Sequence, residues 1–153
     1  AEDRLVPDFV RAALAGEKIH IRKPKAVRPW QHVLEPLSGY LVLAEKLYKN
    51  GDRYADAWNF GPAAKETKTV EWIVKKLCKL WEGKTVFAIA EGKHPHEAHH
   101  LKLASAKAAK QLHWQPKWNL ETALRKVIEW TQAYQSKADL KEVCFKQIRE
   151  YMA

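Results

Sequence analysis

Cysteine is scarce in this 153-residue chain: Cys78 and Cys144 are its only two, far apart and each in a stretch of helical periodicity. That excludes a disulfide framework and a zinc site of the Cys-x-x-Cys kind, and predicts two small buried or half-buried thiols in a reducing compartment. No apolar run approaches the roughly 18 residues needed to span a bilayer, and no basic-then-apolar leader opens the chain. The expectation is a soluble, cytoplasmic protein without a membrane partner. Internal repeats and low-complexity linkers are absent as well. The chain opens Ala-Glu-Asp, without an initiator methionine, and its single methionine is Met152. A processed start and a cut piece both fit that opening.

What is present is globular in composition, with 46% hydrophobic and 29% charged residues. The net charge of +9 is uneven. Residues 1–62 carry 10 basic and 8 acidic groups, whereas 63–153 carry 17 and 10. Twenty of the 27 basic residues are lysines at helical spacing, which reads mostly as a solvated face. Nucleic acid, or a pyrophosphate in a cleft, would also suit such a charge, but no nucleic-acid recognition motif accompanies it.

The pattern predicts an α/β chain in which helices outweigh short strands. Residues 7–15 read as a helix entered at Pro7 and ended by Gly16, followed by an alternating strand, Ile19-His20-Ile21-Arg22. Leu37, Tyr40, Leu41, Ala44, Leu47 and Tyr48 form the stripe of a helix over 35–48, stopped at Asn50-Gly51, and 57–60 reads as a strand. Thr69 caps a third helix to Trp81, and strands are expected at 85–90 and 101–103. Ser105, Asn119 and Asp139 cap the last three helices. Of seven tryptophans, Trp72, Trp81 and Trp130 fall on helical periods and are assigned to packing, while Trp30 is flanked by polar groups.

Three segments can carry chemistry. His96-Glu97-Ala98-His99-His100 fits the H-E-x-x-H zinc-hydrolase pattern, but Pro95 precedes it, a strand-like run follows, and no long amphipathic helix surrounds it. Arg28, locked beside Pro29, can clamp phosphate oxygens through its planar fork, or can be a surface arginine in a turn. Asn59 can reach a ligand from a strand end, or simply form the turn before Gly61-Pro62.

The runs Arg28-Pro29-Trp30-Gln31-His32-Val33-Leu34-Glu35-Pro36-Leu37, Trp58-Asn59-Phe60-Gly61-Pro62, His94-Pro95-His96-Glu97-Ala98 and Leu112-His113-Trp114-Gln115-Pro116 resemble, in order and spacing, the C-terminal part of CDP-glucose 4,6-dehydratases. These are extended short-chain dehydrogenase/reductases acting on sugar nucleotides. The glycine-rich NAD-binding turn of that family has no counterpart, since glycines stand only at 16, 39, 51, 61, 83 and 92, and its Tyr-x-x-x-Lys is missing. The resemblance therefore implies a piece whose start at Ala1 is a cut. It carries the C-terminal substrate-binding lobe (residues 1–28 and 66–153) and, over 29–65, the last helix and strand of a Rossmann domain otherwise absent.

The reaction implied is conversion of CDP-glucose to CDP-4-keto-6-deoxyglucose and water through NAD-mediated internal hydride transfer. The catalytic groups lie in the absent half, so this piece alone is expected to be inactive and to hold no NAD stably, and the whole enzyme to be a homodimer. Carried over by position, Arg28 resembles the pyrophosphate clamp with Trp30 beside it, and Asn59 resembles a substrate contact. His94 stands where related enzymes place an arginine on the diphosphate, with His96 and Glu97 near the nucleotide. His20-Ile21 resembles the strand lining the base, and Arg4-Leu5 the helix entry touching the phosphates. Two positions depart from the family pattern: Ala104 where relatives carry Asp, and His113 where they carry Gly. The first leaves a cap open to question, the second a tight turn. The strand and helix of 29–65 are further expected to lack the sheet and face they would pack on.

Overall fold

A computed structural model describes residues 4–82, 85–90 and 100–153 of the chain. The first helix, α1 (Leu5–Ala15), begins two residues before Pro7, whose missing N–H falls among first-turn groups that have no helical partner in any case. Gly16 closes it at φ 71°, letting the Glu17 N–H reach the Ala12 carbonyl at 2.8 Å. Strand β1 (Ile19–Ile21) buries Ile19 and Ile21 and turns His20 outward, as the alternation predicts. β2 (Val27–Arg28) leads to α2 (Leu34–Tyr54), and a 3₁₀ turn at Ala64–Glu66 to β3 (Lys68–Thr69). α3 (Val70–Leu80) is capped by Thr69, whose hydroxyl accepts from the Trp72 N–H. β4 (Phe87–Ile89), α4 (Ala106–Leu112), α5 (Leu120–Gln135) and α6 (Leu140–Met152) complete the order.

β1 and β4 pair in parallel, with Ile19 opposite Phe87 and Ile21 opposite Ile89. β2 and β3 pair antiparallel, Arg28 opposite Lys68, a short ladder that the sequence pattern does not announce. The main core joins α1, β1, α3 and α5 through Phe9, Ile21, Ile73, Val74, Leu77, Leu124 and Ile128. A second cluster, Tyr54, Phe60, Ala108, Leu112 and Trp114, lies where α2 meets α4.

Several expectations are corrected. Residues 57–60 form no strand among the described residues; the segment is anchored instead by Phe60, whose ring fills the notch over Gly39 so tightly that a Cβ there would come within 2.3 Å. Leu101–Leu103 likewise forms no strand; a single bridge pairs the preceding His100 with Val27, whose carbonyl accepts from the Leu101 N–H at 3.1 Å. The helix over 35–48 does not stop at Asn50-Gly51: Asn50 breaks it at φ −150° and ψ 59°, and a further turn runs to Tyr54. The Ser105 hydroxyl does not cap α4. It accepts from the Gly61 N–H at 2.9 Å and thereby pins the Gly61-Pro62 turn.

Asp139 does cap α6, accepting from the Lys141 and Glu142 N–H groups, and Asn119 caps α5 by accepting from Thr122. Trp81 is buried, but Trp72 falls off the α3 stripe and lies exposed, with the Lys68 ammonium 5.7 Å from its ring centre. Trp130 is half-buried and stacks on Tyr134. Cys78 is half-buried, which pushes its thiol pKa up, whereas Cys144 is exposed.

Candidate functional site

The N-terminus of α1, the end of β1, the β2 segment and the start of α3 converge on an open groove of about 650 Å³. Its walls carry Arg4, Leu5, His20, Ile21, Arg28 and Trp30, six of the residues singled out from the sequence, together with Asp8, Arg22 and Lys23. The small ladders explain the convergence. Pairing of β2 with β3 fixes Arg28, whose Nη1 also donates to the Val27 carbonyl at 2.9 Å. Trp30 is fastened to β3 by its indole N–H, 3.0 Å from the Lys68 carbonyl, so the ring forms a fixed wall. Ala90, following β4, donates to the Ile21 carbonyl at 2.9 Å and holds the far side.

The electrostatics of the groove favour an anion. Arg4, Arg22, Lys23 and Arg28 line it, and α1 begins at its edge without a side-chain cap, leaving first-turn N–H groups and the positive end of the helix dipole. Among the described residues lining the groove, Asp8 is the one carboxylate; it also pairs with Arg11 one turn on.

The start of α2 holds a buried polar knot. Glu35, wholly buried in the first turn of α2, accepts from the Trp118 N–H at 2.7 Å, the Lys117 N–H at 3.0 Å and the Tyr151 hydroxyl at 2.7 Å. Ser38 sits 2.9 Å from the same hydroxyl and accepts from the Trp114 indole at 2.9 Å. Burial, with the Glu35 carboxylate beside it, pushes the Tyr151 pKa up to about 12, so the phenol stays a donor. His32, edge-on to Trp118, has its pKa lowered by burial and then by the charge of Lys126, and its Nδ1 accepts from the Leu34 N–H at 3.3 Å. Gln31 donates to the Phe60 carbonyl at 2.8 Å, tying the Asn59-Phe60 turn to the Arg28–Trp30 segment.

Asn59 itself is exposed and does not line the groove. His94, His96 and Glu97 lie outside the described residues, and His100 is exposed. Among the described residues no group of three His, Cys, Asp or Glu could hold a metal. The sequence reading passed over Asp8, Lys23 and the Glu35 knot. Asp8 was signalled only as an acidic residue in the first turn of α1, whereas the partners of Glu35 are 82 to 116 positions away. Gly39 and Gly61 are packed closely against Phe60 and Leu103.

A helical layer on a short parallel pair, with a cationic groove at the helix start, is a fold this chain shares with proteins of known structure. A UDP-glucose 4-epimerase from Stenotrophomonas maltophila, solved with bound NAD and formylated UDP-arabinopyranose, matches 89% of this chain and 41% of its own at a TM-score of 0.75 and 16% identity. A dTDP-glucose 4,6-dehydratase from Bacillus anthracis in complex with NAD matches 92% of this chain and 42% of its own, at 0.67 and 20%.

More particularly, the chain is homologous from end to end to the CDP-glucose 4,6-dehydratase of Salmonella typhimurium, 43% identical over all 153 residues. It spans 43% of that relative's length. UDP-glucose 4-epimerase 1 of Oryza sativa is 27% identical over 116 residues, 75% of this chain and 32% of the relative. No family model matches. None of these relatives is a zinc hydrolase by name, and nothing supports that reading of His96, Glu97 and His100. Among the described residues no helix is long and apolar enough to cross a membrane.

Proposed function

We propose that this chain is the nucleotide-sugar-binding portion of a cytoplasmic, homodimeric CDP-glucose 4,6-dehydratase, a lyase converting CDP-glucose to CDP-4-keto-6-deoxyglucose. The observation that carries the reading is the groove, where Arg4, Leu5, His20, Ile21, Arg28 and Trp30 meet around a space that favours a diphosphate. In this reading Arg28 is the bidentate clamp and Trp30 the rigid wall beside it. The uncapped start of α1 offers N–H donors to the phosphate oxygens. Asn59, which does not line the groove, and His94, His96 and Glu97, which lie outside the described residues, are proposed as substrate contacts on the resemblance alone.

Residues 1–28 and 66–153 make up the lobe, and 29–65 belong to a Rossmann domain whose remainder lies outside this chain. The apolar stripe of α2 supports that division. Leu37, Tyr40, Leu41 and Tyr48 are exposed along one helical face, as expected of a helix whose covering layer is elsewhere. NAD, which supplies the hydride transfer, would be held by that other part. The residues here contribute binding energy that positions the hexose.

Isothermal titration of the chain with CDP-glucose tests the reading. Saturable binding is expected, weakened roughly 10- to 100-fold by Arg28→Ala, the size of a lost charge-assisted pair. Binding unchanged by that substitution removes Arg28 from the site.

A further inference from the structure

We infer that Asp8 reads the nucleobase of the bound nucleotide, selecting cytosine by accepting a hydrogen bond from its exocyclic amine. The inference rests on the nucleotide-sugar reading of the groove and adds the residue that chooses among nucleotides.

Asp8 is a carboxylate in a groove otherwise furnished for an anion, with Arg4, Arg22, Lys23 and Arg28 on the walls. Facing a diphosphate, it would repel what those cations attract. The diphosphate therefore belongs with the cations, and Asp8 belongs with the uncharged nucleoside. The Asp8 N–H bonds the Arg4 carbonyl at 2.8 Å, so Asp8 is fixed in the first turn of α1, while Arg4, whose backbone is extended, stands before the helix at its open start.

What a carboxylate can distinguish on a pyrimidine is narrow. Both of its oxygens accept. Cytosine offers an amine at C4, whereas uracil and thymine offer a carbonyl oxygen there, which a carboxylate repels. A site built to accept from an amine leaves its acceptor unpaired, and faced by an oxygen, when the wrong base enters. The ion pair with Arg11 holds the Asp8 side chain from the next turn of α1 and leaves carboxylate lone pairs for a second donor.

The test is titration of the whole chain with CDP and with UDP, for the native protein and for Asp8→Asn and Asp8→Ala, with thermal melts to verify folding. CDP is expected to bind at least 10-fold more tightly than UDP to the native chain. Asp8→Asn, whose amide can donate to a carbonyl oxygen, should narrow or reverse the ratio by lifting UDP affinity, and Asp8→Ala should level it by lowering CDP affinity. A CDP-to-UDP ratio unchanged in both folded variants overturns the role of Asp8 and leaves the groove reading standing. Absence of binding by either nucleotide to the folded native chain overturns both.

Discussion

α2 and α3 are both amphipathic by sequence, yet they end in opposite situations. The α3 stripe, Ile73, Val74 and Leu77, is fully enclosed by α1, β1 and α5. On α2, Leu41 is 73% and Tyr48 93% exposed, and only the face toward Phe60 and α4 is covered. The lesson is that helical periodicity reports a face seeking burial and not the partner that supplies it. α3 finds its partners within the chain; α2 has half of them.

The comparison is broken most directly by truncating one leucine on each helix. Leu77→Ala removes a side chain with no solvent contact and should cost about 3 kcal/mol, within the usual range for buried leucines. Leu41→Ala should change stability by less than about 0.5 kcal/mol in urea unfolding of this chain. If Leu41→Ala costs as much as Leu77→Ala, the α2 stripe is covered in solution by another molecule.

Next in size is the knot that fastens the start of α2. Glu35→Ala strands the Lys117 and Trp118 N–H groups and the Tyr151 hydroxyl in a buried site, and is expected to cost about 3 kcal/mol or slightly less. Tyr151→Phe removes one donor of three and should cost about 1–2 kcal/mol. Hydrogen exchange would show whether the loss is local: protection should fall in the first turns of α2 and in 114–118 before it falls in α3.

A smaller effect separates the two helices by pH. Burial and Lys126 depress the His32 pKa below its ordinary 6.5, so protonation favours the unfolded chain. The stability that neutral His32 contributes is present above pH 6.5 and is lost as the pH falls through its folded-state pKa. One group can contribute a slope of at most about 1.4 kcal/mol per pH unit. Melting temperatures between pH 7.5 and 5.5 should fall in the native chain and fall less in His32→Gln.

The main core and its elements were legible in the sequence because their signals are local. Caps at Thr69, Asn119 and Asp139 and the alternation of Ile19 to Ile21 need only neighbours a few positions away, and the structure has all four. Two of the failures are cases where a distant group decided the outcome. Ala57–Phe60 reads as a strand, but among the described residues no strand pairs with it and the Gly39 notch captures Phe60 instead. The Ser105 hydroxyl was drawn away from α4 by the Gly61 N–H, 44 positions distant. β2 and β3 are too short for any periodicity to show. In the groove, residue types were legible through the resemblance, while the ladder that sets Arg28 opposite Lys68 was not.

The least effect, and a stabilising one, lies at the end of α4. His113 takes φ 55° to close that helix, so a left-handed turn that glycine makes without strain is made here by a residue with a Cβ. The left-handed conformation costs a non-glycine residue about 1 kcal/mol, part of which glycine returns through its freer unfolded chain. His113→Gly should therefore raise stability by about 0.5 kcal/mol. α4 supplies Ala108 and Leu112 to the cluster that holds the covered side of α2. A gain in urea midpoint accompanied by greater exchange protection in α2 would mean that the two helices of this cluster unfold together. A gain confined to α4 would mean that α2, already half uncovered, opens on its own.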